Sequence, residues 1–225
     1  MSDRNEETTA PAWFAALRGR WRLRRCVLVW AAPSQPDAAG WPHVEARLTG
    51  EVRLDPAESA IALHYEETGV LRLRHGALLQ SKRRYLYRCE VGESQQQLAI
   101  DFADGPSAGL PFVQLPWPAL SERDAAEGED LHLCGADRYR VRYRFETLHG
   151  AMTSVDKTID GNGKVHTRPG AEAVAWDRIK QRGDEAESRE GDNASPLWHR
   201  IVQRTRVRGP KKDYAIVSIL DRIEA

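Results

Sequence analysis

Apolar residues return at every second position along most of this chain. In the run HVEARLTGEVRL, Val44, Ala46, Leu48, Val52 and Leu54 fall on one side and His43, Glu45, Arg47, Thr49, Glu51 and Arg53 on the other. That alternation is the mark of a half-buried antiparallel strand. The same period links Ile61, Leu63 and Tyr65, sets Leu71 and Leu73 against Arg72 and Arg74, and sets Leu98, Ile100 and Phe102 against Ala99 and Asp101. Turn-forming pairs separate these stretches at Asp55-Pro56, His75-Gly76 and Asp104-Gly105-Pro106. In DRYRVRYRF, Tyr139, Val141, Tyr143 and Phe145 alternate with Arg138, Arg140, Arg142 and Arg144. The last run, DYAIVSIL, is apolar on both sides and predicts a strand covered on both faces. A helical spacing appears at AWFAALRG, where Trp13, Phe14 and Leu17 share a face and Pro11 and Gly19 set the limits.

Two stretches break the pattern. Residues 150 to 196 are rich in Gly, Asp, Glu, Arg and Ser with isolated apolar positions, which predicts a flexible insertion in a hairpin, with one helical turn at Ala173 to Lys180. Removing it leaves 138 to 146 and 198 to 207 as partners. From Pro106 to Asp130 a proline-rich connector surrounds a short strand at Phe112 to Leu115. About eight to ten short strands without alternating helices predict an all-β fold, an antiparallel barrel rather than a sandwich. The organisation expected is a disordered N-terminus over 1–10 and a single barrel domain over 11–225, interrupted at about 150–196.

Charge and cysteine content narrow the class. Over 225 residues, Lys plus Arg and Asp plus Glu both number 33, for a net charge of zero, so any electrostatic function has to be local. Nothing approaches the roughly 18 consecutive apolar residues of a membrane helix, and the start MSDRNEETTAP lacks a signal pattern. A soluble, cytoplasmic protein without membrane contact is expected. Cys26, Cys89 and Cys134 are an odd set at no metal-finger spacing, which reads as reduced thiols.

Six segments carry a family resemblance: LRGRWRLRR (17 to 25), YEETGVLRL (65 to 73), RRYLYR (83 to 88), FADG (102 to 105), HLCGADRYRVRYRF (132 to 145) and VRGPKKDYAIVSILDR (207 to 222). In order and chemistry they resemble the uncharacterised family known as domain of unknown function 6314. The resemblance implies a compact calycin-type, lipocalin-like barrel and supplies no reaction. Gly19-x-Trp21 with Arg222 after the last strand is similar to the end closure of lipocalin-like barrels, in which an Arg stacks over the Trp. The chain departs from the family in its long insertion and in Phe112-Val113, where the family shows Phe-His, and the lost histidine weakens any scheme using a histidine pair.

Candidate chemistry falls into three groups. Tyr65, Tyr85, Tyr87, Tyr139 and Tyr143 can all face inward, filling a barrel or offering hydroxyls to a ligand, and His132 and Cys134, two apart on a strand, leave the same face. A packed His and Cys is the simpler reading of that pair, and no spacing builds a metal site. Outside, Arg138, Arg140, Arg142, Arg144, Arg204, Arg206, Lys211 and Lys212 form a cationic stretch without acids, fit for RNA or an acidic protein if the strands pair unbulged. The leading expectation is a noncatalytic barrel that takes a small, mostly apolar ligand inside and calls for no cofactor. The alternative is an interaction protein using the Arg face, and the third is an enzyme built on His132 with Cys134 or Asp137.

Overall fold

The alternating stretches become ten strands in the computed structural model, which describes residues 9–30, 42–92, 96–117, 125–147, 198–210 and 212–223. In chain order they are β1 (Gly19–Val29), β2 (His43–Pro56), β3 (Ala62–Leu73), β4 (Leu78–Val91), β5 (Gln96–Phe102), β6 (Pro111–Pro116), β7 (Ala125–Cys134), β8 (Asp137–Glu146), β9 (Arg200–Gly209) and β10 (Lys212–Arg222), preceded by helix α1 (Ala12–Ala15). Their order across the sheet is β6-β5-β4-β3-β2-β1-β10-β9-β8-β7. The antiparallel pairing of β1 with β10 brings the two ends of the described chain together. At the remaining seam, the backbone N–H of Gln114 donates to Asp130 Oδ2 at 2.8 Å. A Cβ on Gly128 would lie 3.1 Å from that of Leu115. The ten strands thus form a nearly closed antiparallel barrel, and a side-chain carboxylate takes an edge N–H that a neighbouring strand would otherwise bind. Across the predicted interruption, β8 and β9 pair directly.

Sheet curvature requires close backbone approach at one place. Gly50 and Gly69 stand opposite each other on β2 and β3, and a Cβ on Gly50 would come within 2.1 Å of the Thr68 carbonyl oxygen. Only glycine admits that approach.

One end of the barrel is plugged by aromatics. Helix α1 drops Trp13 and Phe14 into the core, with Leu17 just beyond it. Trp13 stacks on Trp117 at 3.7 Å and donates its indole N–H to Gln96 at 2.7 Å. Trp198 in turn donates to the Trp13 carbonyl at 2.7 Å. Toward the opposite end, the mouth, inward-facing Tyr85, Phe102, Phe112, His132, Tyr139 and Tyr214 are half-buried.

Several local expectations need correction. The stretches around 63 and 72 are one strand, β3. Strand β7 begins at Ala125, inside the expected connector. Its inward residues there are Ala126 and Gly128, while Glu127 and Glu129 face Arg144 and Arg142 across the strand pair; small inward residues give no hydrophobic alternation to read. Val44 does not share the inner face of Ala46 and Leu48. A register shift at Val27/Leu28 sets Val44 opposite Leu28, and it packs with Leu28, Ala215 and Val217 on the outer side. The whole of the expected insertion at 150–196, with its turn at 173–180, and residues 1–8 lie outside the described residues.

Candidate functional site

Period two places Trp21, Leu23, Arg25 and Val27 on one face of β1, and Leu63, Tyr65 and Glu67 on one face of β3. Both faces point inward, so a cation and an anion enter the barrel. Arg25 is 8% exposed and Glu67 0%. The guanidinium grips the carboxylate with both terminal nitrogens, at 2.7 and 2.8 Å. Its Nε donates to Ser218 Oγ at 2.8 Å, and the Tyr65 hydroxyl donates to Glu67 Oε2 at 2.9 Å. Burial by itself pulls the Arg25 pKa down, but the carboxylate and neighbouring phenols outweigh it and the net direction is up. Arg25 therefore stays charged. A guanidinium has five N–H donors, and these bonds use three. Neither residue is among those expected from the sequence, although the signal was present: each is a charge on the apolar phase of its strand.

Phenols surround this pair. Tyr87 and Tyr143 meet at 3.5 Å between hydroxyls, and Tyr87 stacks on Tyr65 at 5.2 Å. Burial, more than any neighbour, pushes the pKa of Tyr65, Tyr87 and Tyr143 upward. Above them an aromatic wall runs round the mouth: Tyr85 packs on Phe112 at 5.7 Å, Phe112 on His132 at 5.6 Å, and His132 on Tyr139 at 5.9 Å. The five tyrosines are therefore gathered inside the barrel, three buried and two, Tyr85 and Tyr139, half-buried. His132 belongs to the wall, whereas Cys134 stands exposed at the β7–β8 turn, opposite Asp137. Among the described residues, no group of three or more His, Cys, Asp or Glu gathers where a metal ion can be held.

At the plugged end, the Arg222 guanidinium lies over the Trp21 ring, 4.2 Å from its centroid. It also donates from Nε to the Trp198 carbonyl at 2.8 Å, from Nη1 to the Arg18 carbonyl at 2.8 Å, and from Nη2 to the Ala16 carbonyl. Burial lowers its pKa. Gly19, at φ +122, leaves room: a Cβ there would meet Arg222 Nη1 at 3.0 Å.

Outside, β8 and β9 pair without a bulge, so Arg138 stands opposite Arg208, Arg140 opposite Arg206, and Arg142 opposite Arg204. Between them and β10 lies a recess of about 260 Å³, lined by Arg140, Arg142, Arg204, Arg206 and Arg208, with Glu129 at its rim and Ala215 and Val217 beneath. The Arg206 guanidinium stacks on Trp30 at 3.5 Å and bonds Asp213. Arg142 bonds Glu129 at 2.9 Å. Arg144 is turned away, to Glu127 at 3.1 Å and Glu146 at 2.9 Å. At the β9–β10 turn Lys212 reaches Asp137 at 2.5 Å, while Lys211 lies outside the described residues.

Known proteins add a family and no activity. Comparison with curated proteins finds no match. A family model matches residues 17–167, from just before β1 to beyond β8, leaving β9 and β10 outside the matched stretch. On that match the chain belongs to DUF6314, a family of unknown function.

Proposed function

We propose that the mouth of the barrel takes a small, mostly apolar ligand whose polar head is received by Arg25. The supporting observation is a buried guanidinium that spends three of its five N–H donors on Glu67 and Ser218. A buried ion pair is weak evidence for stability, since a well-packed apolar pair of similar volume serves as well or better. Its donors, set beneath a wall of half-buried rings, suit an acidic or carbonyl group on an apolar body. The rim fits this reading. The exposed large hydrophobics among the described residues, Val70, Leu78, Leu79, Leu110, Leu131 and Leu133, all lie in the mouth half of their strands or in its turns, making an apolar approach.

Native mass spectrometry of the full chain, purified from its source without denaturation, should carry an added small-molecule mass. Independently, 1-anilinonaphthalene-8-sulfonate, a flat apolar body with an anionic head, should bind one to one with enhanced fluorescence. Replacing half-buried, inward-facing Ile216 by Trp should block it while leaving the far-ultraviolet dichroism unchanged. A chain that shows no added mass and no saturable dye binding, or one whose dye binding survives Ile216→Trp in full, overturns the proposal.

A further inference from the structure

We infer that the recess on the outer wall of β8, β9 and β10 is a second site, for a compact, multiply charged phosphate compound. The first argument is register. Like charges directly opposite on paired strands are destabilising, yet this wall sets arginine against arginine in three successive rows. Elsewhere on the outer face such pairs occur singly, Arg20 opposite Arg53 and Arg47 opposite Arg72, among pairs of opposite sign: Arg22 stands opposite Glu51 and also opposite Asp221, Glu66 opposite both Arg53 and Arg84. A wall that only had to be wet had that option.

Shape is the second argument. Alternate residues on a strand are about 6.8 Å apart and opposed residues about 5 Å apart, so guanidiniums from both strands can converge on one group above the recess. Beneath them lie buried Ala215 and Val217, a dry base on which charge attraction is stronger than in open water. At about 260 Å³ the recess admits an inserted group, not the side of a folded protein. Two of its arginines are held before any ligand arrives, Arg206 by Trp30 and Asp213, Arg142 by Glu129, which lowers the ordering cost of binding. A single carboxylate occupies two of these guanidiniums, as Glu129 does with Oε2 on Arg142 and Oε1 on Arg140. A phosphoryl group brings three terminal oxygens and about −1.5 to −2 of charge, and can accept from several forks at once. That narrows the expected partner on this face from RNA or an acidic protein to phosphate chemistry in a small molecule.

The test is calorimetric titration of the full chain with inorganic pyrophosphate, with citrate, polyglutamate and a single-stranded RNA as comparators. Pyrophosphate should bind one to one and weaken severalfold between low and high salt. Arg140→Ala with Arg204→Ala should weaken it at least tenfold, and Arg53→Ala with Arg84→Ala, on the opposite wall, should leave it unchanged. The inference is overturned if pyrophosphate shows no saturable binding at millimolar concentration, if the control pair loses affinity equally, or if citrate, polyglutamate or RNA binds as tightly. The double variant Arg25→Met with Glu67→Leu, which removes the interior guanidinium, should keep pyrophosphate affinity in full, which separates the fate of this site from that of the interior.

Discussion

Arg25 inside the barrel and Arg140, Arg142 and Arg204 on its outer wall carry the same guanidinium in opposite circumstances. Arg25 is withdrawn from water and held by one carboxylate and one hydroxyl through three of its five donors, so its charge depends on one partner. On the wall, the Arg140 side chain is 68% exposed and shares Glu129 with Arg142, so water and salt do most of the screening. Burial turns a charge into a structural obligation. Exposure, with arginines facing one another, leaves charge that is cheap to remove and open to an incoming anion.

The sharpest way to break the contrast is to take Glu67 away. Glu67→Ala should cost about 3–5 kcal/mol by leaving Arg25 buried and uncompensated, measured as a fall in the urea midpoint at constant slope. Arg25→Met combined with Glu67→Leu should recover most of that loss. If the single and double variants lose equally, the pair is not coupled as the geometry requires.

Alkali provides a second test. The folded state raises the pKa of Tyr65, Tyr87 and Tyr143 above the free phenol value. Their contribution is therefore fully present below about pH 10 and declines above it, as the unfolded chain gives up protons the folded one keeps. Each phenol should remove about 1.4 kcal/mol of stability per pH unit in that range, and Tyr143→Phe should reduce the slope by one such step. A stability that stays flat from pH 10 to 11 contradicts the buried arrangement.

Arg222 stands between the extremes, half-buried and bonded to three carbonyls beside the Trp21 ring. Arg222→Ala should cost about 1.5–3 kcal/mol, the range for hydrogen bonds to a charged group, read from thermal unfolding. The smallest effect belongs to the wall. Arg140→Ala should change stability by no more than about 0.5 kcal/mol, and by still less in high salt. A loss as large as that of Arg222→Ala would mean that the wall is structural and would erase the contrast.

Much of the fold is legible in the chain because a side-chain period of two writes burial directly into sequence. The faces of Leu63 and Tyr65, of Tyr143 and Phe145, and of Arg140 and Arg142 follow from alternation alone. Where alternation fails, the reason is local. Ala126 and Gly128 face inward without being hydrophobic enough to show it, and Val44 changes sides at a bulge. The interior tyrosines were open to the same parity argument. Arg25 and Glu67 followed the parity too, but a charge on an apolar phase reads as noise until a partner is known, and theirs lies 42 positions along the chain.

By itself, the sequence determined the strand faces, the antiparallel class, and the pairing of two arginine-rich strands across residues 148–197, since each depends only on near-neighbour chemistry and the pleat. Tertiary structure decided what those faces meet. The curvature of the sheet carries Glu67 to Arg25 and Asp130 to the seam, and the register of β8 on β9 sets arginine against arginine above a buried base. Contacts between distant strands depend on curvature and register summed over the whole sheet, and no local run of residues records that sum.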